Sequence, residues 1–462
     1  MPSPSRTGAL AGLAALTALS SCSATPTPAT GGDLHKINHL VVIYQENWSF
    51  DSLYGLFPGA NGIAGATVSQ VDKTGAPITT QPQAIDNNGA TPVPETAIPA
   101  GLPVKPYDIS KYVPADKMTG DIVHRYYQEQ YQIDGGKNDR FIAGSDNPGL
   151  VLSYYDASTM PEGKLAKEFT LSDNTFHSAF GGSFLNHQWL ICACTPQWPA
   201  DQKPVPQAKV TTLDASGLPV TDGFLTTDGK SIVNTSYTVN TPHPKSANPA
   251  QLIPLLTGNN IGDELTAKNV SWKWYSGGWD DALAGKPDPN FQYHHQPFNY
   301  YQTYADGTQA KADHLQDEIR LFTDLGHGTL PQVSFVKPLG PNNEHPGYAN
   351  LIQGQNHVAE IVNAVRNSPY WKDTAIVITY DENGGRWDHV APPKGDIWGP
   401  GVRVPLIVIS PYAHHGYVDH TQYETVSILR FIEERWNVPA LGTRDAAAKD
   451  LTNAFDFNQS VS

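Results

Sequence analysis

Two apolar runs in this chain end in the same way, and together they constrain the fold more than any other feature. "HLVVIYQEN" carries a run from His39 to Tyr44 that stops at Gln45-Glu46-Asn47. "DTAIVITYDENGG" carries a second, from Thr374 to Tyr380, that stops at Asp381-Glu382. Neither alternates apolar with polar residues. A continuous β-branched run of this length is the pattern of a strand covered on both faces, as in sheets sandwiched between helices. In such sheets functional groups gather beyond the carboxyl ends of the strands, where both acidic clusters fall.

Comparable runs recur at Leu40 to Tyr44, Trp189 to Ala193, Val270 to Tyr275, Gln332 to Val336, Ala375 to Tyr380 and Pro405 to Ile409. Helical patterns lie between them: "NHVAEIVNAVRNS" precedes the Ala375 run and "ETVSILRFIEERW" follows the last. Strands alternating with helices predict an α/β fold with a mainly parallel central sheet flanked by helices. Two stretches rich in Thr, Pro, Gly and Asn, Ala60 to Pro114 and Pro196 to Pro249, read as loop and β-hairpin insertions. The second contains short alternating runs such as "SIVNTSYTVN". A net charge of −15 and the lack of any Lys/Arg-rich run leave no footprint of nucleic-acid binding. A phosphate-bearing substrate would therefore need a locally cationic site.

The N-terminus predicts location. "MPSPSRTGALAGLAALTALSSCSATP" has one Arg followed by a small-residue apolar stretch, Ala9 to Leu19, too short to span a membrane. It reads as an export signal. Leu19-Ser20-Ser21-Cys22 resembles a bacterial lipoprotein box, with Cys22 as the lipidated residue. The expected division is therefore a signal and tether over 1–33 and one catalytic domain over 34–462. The protein is expected to be periplasmic or attached to the cell envelope, with secretion the alternative. Only Cys192 and Cys194 remain, so no disulfide framework is expected, and both read as small buried residues.

Glu46, Asn47, Asp381 and Glu382 could bring four oxygens to one sheet edge, a set suited to a divalent cation. The competing reading is that Asp and Asn merely turn the chain after a strand. "FHSAFGGSFLNHQWLICACTP" offers a hydroxyl: Gly181-Gly182 permits close backbone approach, and Ser183 opens a helix or turn, where its plainest role is an N-cap. Asn186 and His187 lie one turn on. The serine-hydrolase elbow fits poorly, because Leu185 replaces the final Gly of G-x-S-x-G. Cys194-Thr195-Pro196 resembles the start of the sulfatase maturation motif, but Trp198 stands where that motif requires Arg, so a sulfatase is rejected. Histidines supply cationic donors: His124, His294, His295, His345, His357 and His389 sit in polar or aromatic contexts. If extended, neighbouring His294 and His295 would point to opposite faces, so one of the two is expected at a given site.

"QENWSFDSLYG" resembles the ENRSFD-type motif of the bacterial acid phosphatase and phospholipase C family of phosphoesterases, within the alkaline phosphatase superfamily. "DENGGRWDHVAPP" resembles that family's D-E-x-G-G-x-x-D-H-V-x-P-P signature, and "EHPG" recurs between them. The likeness runs from about Leu34 to about Val438. Trp48 departs from it, standing where Arg is usual, and is expected to affect packing or the pocket rim. The resemblance implies that Glu46, Asn47, Asp381 and Glu382 bind one divalent metal, with Mg, Mn, Ca, Zn and Fe all open. It implies Ser183 as nucleophile and further metal contact. His124, His345 and one of His294 and His295 would hold phosphate oxygens or protonate the leaving group.

The family's phospholipases C often carry extra C-terminal β domains, and this chain ends soon after the "ETVSILRFIEERW" helix. A phosphomonoesterase of the acid phosphatase type, acting on a small phosphomonoester through a phosphoserine, is therefore the first expectation. A phospholipase C is the alternative, with aromatic Tyr293 to Tyr304 available to line a choline pocket against a plainer role in the core. A non-catalytic anchored binding protein is the remote third. Membrane contact would come only through a lipid anchor or a lipid substrate.

Overall fold

The computed structural model describes residues 34–202 and 209–459. The expected signal and tether, 1–33, lie outside the described residues. Eight strands form one sheet: β1 (His39–Gln45), β2 (Thr170–Ser172), β3 (Trp272–Ser276), β4 (Leu315–Asp317), β5 (Val333–Lys337), β6 (Thr374–Tyr380), β7 (Leu406–Ile409) and β8 (Tyr417–Asp419). Their spatial order is β4-β3-β5-β1-β6-β7-β2-β8. Strand β7 runs antiparallel to both its neighbours, and every other pairing is parallel. The sheet is thus mainly parallel, as the continuous apolar runs predict.

β1 lies between β5 and β6. Gln45 pairs in register with Tyr380, and Ile43 with Val336. The three strands end at nearly the same level, so Glu46, Lys337 and Asp381 emerge together. Adjacent strand residues face opposite ways, and the helices confirm that both sides are covered. Five helices matter for the site: α1 (Tyr126–Ile133), α2 (Pro161–Glu168), α3 (Ser183–Cys192), α4 (Leu351–Arg366) and α5 (Val426–Trp436). Tyr44 meets His187 of α3 edge to face, at 4.9 Å between ring centroids. On the other face, Tyr380 donates to Glu162 of α2 at 3.0 Å. α3 packs against α5, and α2 against α4. α4 shows how sequence sets this layer: Val358, Ile361, Val362 and Val365 recur at helical spacing and are all buried, and the Asn350 side chain caps the first turn by accepting from Gln353 N–H.

Three expectations need correction. Trp189 to Ala193 is not a strand: Trp189 to Cys192 lie in α3, and all ten residues of that helix are buried. An all-round buried helix has no polar face, so its sequence carries no helical period. Cys192 and Cys194 form a disulfide across one residue, with Ala193 in the left-handed region at φ 48°. "SIVNTSYTVN" makes only isolated bridges, although true hairpins do occur in the insertions at Ile85–Asp86 with Val93–Pro94 and at Thr212–Leu213 with Pro219–Thr221. Among the described residues no helix is long and apolar enough to cross a membrane.

Candidate active site

The chain turns sharply as it leaves β1. Asn47 takes a left-handed conformation, φ 69°, which Asn tolerates better than most residues. The loop after β6 folds over it. A β-carbon on Gly384 would lie 2.6 Å from the Asn47 carbonyl oxygen, so "DENGG" requires glycine there. Asp381 ties the two loops together, its Oδ1 accepting from Glu382 N–H at 2.8 Å and Asn47 N–H at 3.3 Å. Gly181 does the same for the serine. Its φ is +94°, and a β-carbon would meet Tyr126 N at 2.4 Å. Gly182 is the N-cap of α3 and Ser183 its first residue, so the hydroxyl is not spent on capping. Instead Ser183 Oγ lies 3.1 Å from both Glu46 Oε2 and Glu382 Oε1, and its one proton serves either of them.

Glu46, Asp381 and Glu382 therefore converge, with one oxygen from each within 4.8 Å of the others. All three are wholly buried, and Asp381 Oδ2 has no hydrogen-bond partner. The inner end of the Asn47 amide lies 2.9 Å from Glu46 Oε2, 2.9 Å from Glu382 Oε1 and 3.1 Å from Asp381 Oδ1. With its nitrogen inward, the amide would donate to these carboxylates. With its oxygen inward, it completes a four-oxygen set, and its nitrogen faces His124 Nε2 at 3.2 Å. Buried oxygens this close repel one another unless a cation lies among them, so the donor set fits a divalent metal. The charges agree. Burial, and then the charge of Glu46, raise Asp381 well above the carboxylate range. Burial, and then Asp381 and Glu46, do the same to Glu382. Burial would raise Glu46 too, but His295 and Lys337 outweigh it and hold Glu46 well below its usual value.

The histidines surround this floor. His124 Nε2 is 3.6 Å from Glu382 Oε1, His345 Nε2 is 4.0 Å from Glu46 Oε2, and His295 Nε2 is 2.7 Å from Glu46 Oε1. His294 packs edge to face on His295 at 4.6 Å. A short 3-10 turn over Tyr293–His295 replaces the extended geometry, so both neighbours reach the site rather than one. Burial lowers His124, lowers His294 well below its usual range and pushes His295 down to about 4. These rings are therefore neutral at neutral pH rather than standing cations. A cleft of roughly 360 Å³ opens onto Ser183, with His124, His294, His295 and His345 on its walls and Arg125 and Gln292 at its rim. The aromatic stretch does not line it: Phe298, Tyr300, Tyr301 and Tyr304 are buried in the core. Trp48 is also core rather than rim, stacked on Arg386 at 4.0 Å and donating its indole N–H to the Glu344 carbonyl.

Several residues at the site were missed by the sequence reading or named there without the role they take. Lys337, the last residue of β5, is fully buried against Glu46. His187 stands one helical turn from Ser183 and touches its carbonyl oxygen through Nδ1 at 2.7 Å; the i, i+4 spacing was the available signal. Glu129 on α1 accepts from Gly181 N–H at 2.6 Å and pairs with buried His177 at 2.9 Å. Asp51, Asp388 and His389 belong to the two motifs yet lie apart from the four-oxygen set. Arg403 joins them, with Nη2 2.9 Å from Asp51 and Nε 2.9 Å from Asp388, while His389 Nδ1 is 2.7 Å from Asp51. That bridge clamps the loop after β1 to the loop after β6. His357 lies elsewhere, paired with Glu318.

Comparison with known proteins now has a geometry to refer to. Residues 37–439 match the family model described as "Phosphoesterase family". The chain is 25% identical over 475 residues to the non-hemolytic phospholipase C of Pseudomonas aeruginosa, covering 94% of this chain and 59% of that protein. It is 26% identical over 467 residues to phospholipase C B of Mycobacterium tuberculosis, covering 92% of this chain and 79% of that one. This chain thus spans less than two thirds of the Pseudomonas protein. A solved protein in the alkaline phosphatase superfamily from Vibrio parahaemolyticus aligns over 72% of this chain and 73% of its own, at 10% identity and a TM-score of 0.34, too low to carry an argument.

Proposed function

Since the chain belongs to the phosphoesterase family, we propose that it is a metal-dependent phosphoester hydrolase that cleaves phosphodiesters of the phospholipid class, as a phospholipase C does. The observation that carries hydrolysis is the placement of Ser183 Oγ, 3.1 Å from two buried carboxylates at the base of an imidazole-lined cleft. The substrate class rests on the relatives, which are named phospholipases C and match over nine tenths of this chain. A phosphomonoesterase, the first expectation from sequence, is the second reading. The small cleft favours it: Tyr348 is the single tyrosine among its described lining residues, and a choline cage needs several ring faces.

Glu46, Asn47, Asp381 and Glu382 would hold one divalent cation, with Ser183 Oγ beside it. When bound, that ion lowers the pKa of the hydroxyl and offsets charge on the phosphoryl group. Ser183 passes its proton to Glu46 or Glu382, which it already faces, and Oγ attacks phosphorus. The bond from phosphorus to the alcohol breaks, and the departing oxygen takes a proton from one of the surrounding imidazoles, which the anionic phosphate bound beside it would hold as an imidazolium. A phosphoserine remains. Water then attacks it in line, returning a proton to that imidazole. The Ser183 oxygen leaves and recovers its own proton, releasing the headgroup phosphate. His124 and His345 spend Nδ1–H on the Ile122 and Pro346 carbonyl oxygens, so their Nε2 atoms would donate to phosphate oxygens only in the imidazolium form, beside His294 and His295.

The test compares rates on p-nitrophenyl phosphorylcholine and p-nitrophenyl phosphate, with and without chelator. Faster diester hydrolysis, abolished by chelation, is expected. Monoester hydrolysis alone would select the second reading, and chelator-resistant turnover would remove the metal from both.

A further inference from the structure

Lys337 is the least expected group at the site. It ends β5 with a wholly buried side chain, and its Nζ is ion-paired with Glu46 Oε1, not with the Oε2 that faces Ser183. The contact is one of charge: neither atom makes an aligned hydrogen bond. The ring of Tyr44 lies 5.4 Å from the same ammonium.

Two histidines complete the surroundings of Oε1. His295 Nε2 is 2.7 Å from it, and the ring of His187 stacks on His295 at 5.1 Å, 2° from parallel. His187 Nδ1 donates to the Ser183 carbonyl oxygen, which fixes the tautomer and leaves Nε2 with a free lone pair, buried and without a partner. Glu46, His187 and His295 offer one ligand atom each, all within 4.8 Å of one another. An oxygen and two imidazole nitrogens suit a borderline cation such as zinc. Glu46 also belongs to the Asp381–Glu382 set. A carboxylate shared between two donor sets is a layout suited to a two-metal centre.

We propose that the Lys337 ammonium stands in place of a second metal ion. It occupies the far oxygen of the shared carboxylate, so the centre holds one ion where its donors could hold two. Charge supports this: Glu46, Asp381 and Glu382 bring three negative charges, which one divalent ion and one ammonium cancel, whereas a second divalent ion beside the ammonium would leave an excess of two buried positive charges, and only one once the ammonium is removed. Lys337 is a positioning residue, since it is fully buried and does not line the cleft. The proposal rests on reading Glu46, Asp381 and Glu382 as metal ligands.

Metal content per chain tests it independently of activity. Full-length protein is equilibrated with excess zinc, dialysed and measured by elemental analysis, with cobalt titration followed by absorption as a second readout. The wild type should hold one ion, Lys337→Ala two, and Lys337→Arg one again. The double variant Lys337→Ala/His187→Ala should return to one. A single ion in Lys337→Ala, or a second imidazole-bound cobalt equivalent in the wild type, overturns the proposal. The wild-type titration decides this even if Lys337→Ala fails to fold. A wild type that takes up no ion instead refutes the metal reading of Glu46, Asp381 and Glu382 on which the proposal stands.

Discussion

Glu129 accepts a hydrogen bond from the backbone N–H of Gly181 across 2.6 Å, two residues before the serine proposed to attack phosphorus. The same carboxylate accepts from Val402 N–H at 3.2 Å. Glu129→Ala would strand both donors in the interior, at about 1–3 kcal/mol each. It should also let the Gly181–Ser183 turn drift, and a misplacement of about 1 Å can cost roughly 100-fold in rate. The expected result is a large fall in kcat with a smaller change in KM, and a lower melting temperature. Glu129→Gln keeps an acceptor for Gly181 and should recover much of both.

Ser183→Ala should lose a factor of about 10³ or more in kcat, because the nucleophile and its carboxylate neighbours act as a unit. Stability should hardly move, since Gly182 and not Ser183 caps the helix. Transfer of a chiral phosphoryl group to an acceptor alcohol should retain configuration, as two in-line steps each invert phosphorus. Net inversion would mean direct attack by water and would reduce Ser183 to a ligand.

Removing the Arg403 side chain leaves Asp51 and Asp388 buried without their cation. Arg403→Ala should cost about 3–5 kcal/mol in chemical denaturation. Arg403→Lys should recover only part, because one ammonium cannot reproduce the forked contact to two carboxylates. A loss below about 1 kcal/mol would show that the clamp between the two motif loops is not structural.

Glu162 and Glu344 meet beneath the sheet through the Tyr380 hydroxyl, at 3.0 and 2.8 Å. Burial raises both, Glu344 from 4.5 to about 7. The folded state therefore binds protons more tightly than the unfolded chain. This contribution is fully present below about pH 4.5 and is lost as the pH rises towards about 7, a change of a few kcal/mol. Glu344→Gln should flatten the fall in melting temperature across that window. An unchanged slope would assign the pH dependence to other groups.

The central strands and the acidic residues that follow them were legible because both signals are local. A run such as Ala375 to Tyr380 has no charged residue to interrupt it, and its register with β1 brings Glu46 and Asp381 to one level. What could not be read was decided by tertiary packing. Trp189 to Cys192 looks like a strand because α3 is buried all round. β2 and β8 are three residues each, too short to leave a period. Lys337 follows an apolar run as any surface lysine might, and only the approach of Glu46 makes it an internal cation. His294 and His295 could not be sorted by alternation, because the backbone there is a tight turn. The pairing of Cys192 with Cys194 needed Ala193 in the left-handed region, which no residue type announces.

β1 is among the first described segments of the chain and sits near the middle of the sheet, held on both edges by β5 and β6. The contact that closes the acidic floor, Asn47 to Asp381, joins residues 334 positions apart. A ribosome adding about 5–20 residues per second needs roughly 15–70 s to deliver the second after the first. Throughout that interval "HLVVIY" lacks its β6 partner, and an apolar segment with an unpaired edge is the kind that recruits other chains. Synthesis of this protein should therefore depend on holdase protection of its N-terminal third, and no truncation ending before β6 can assemble the floor.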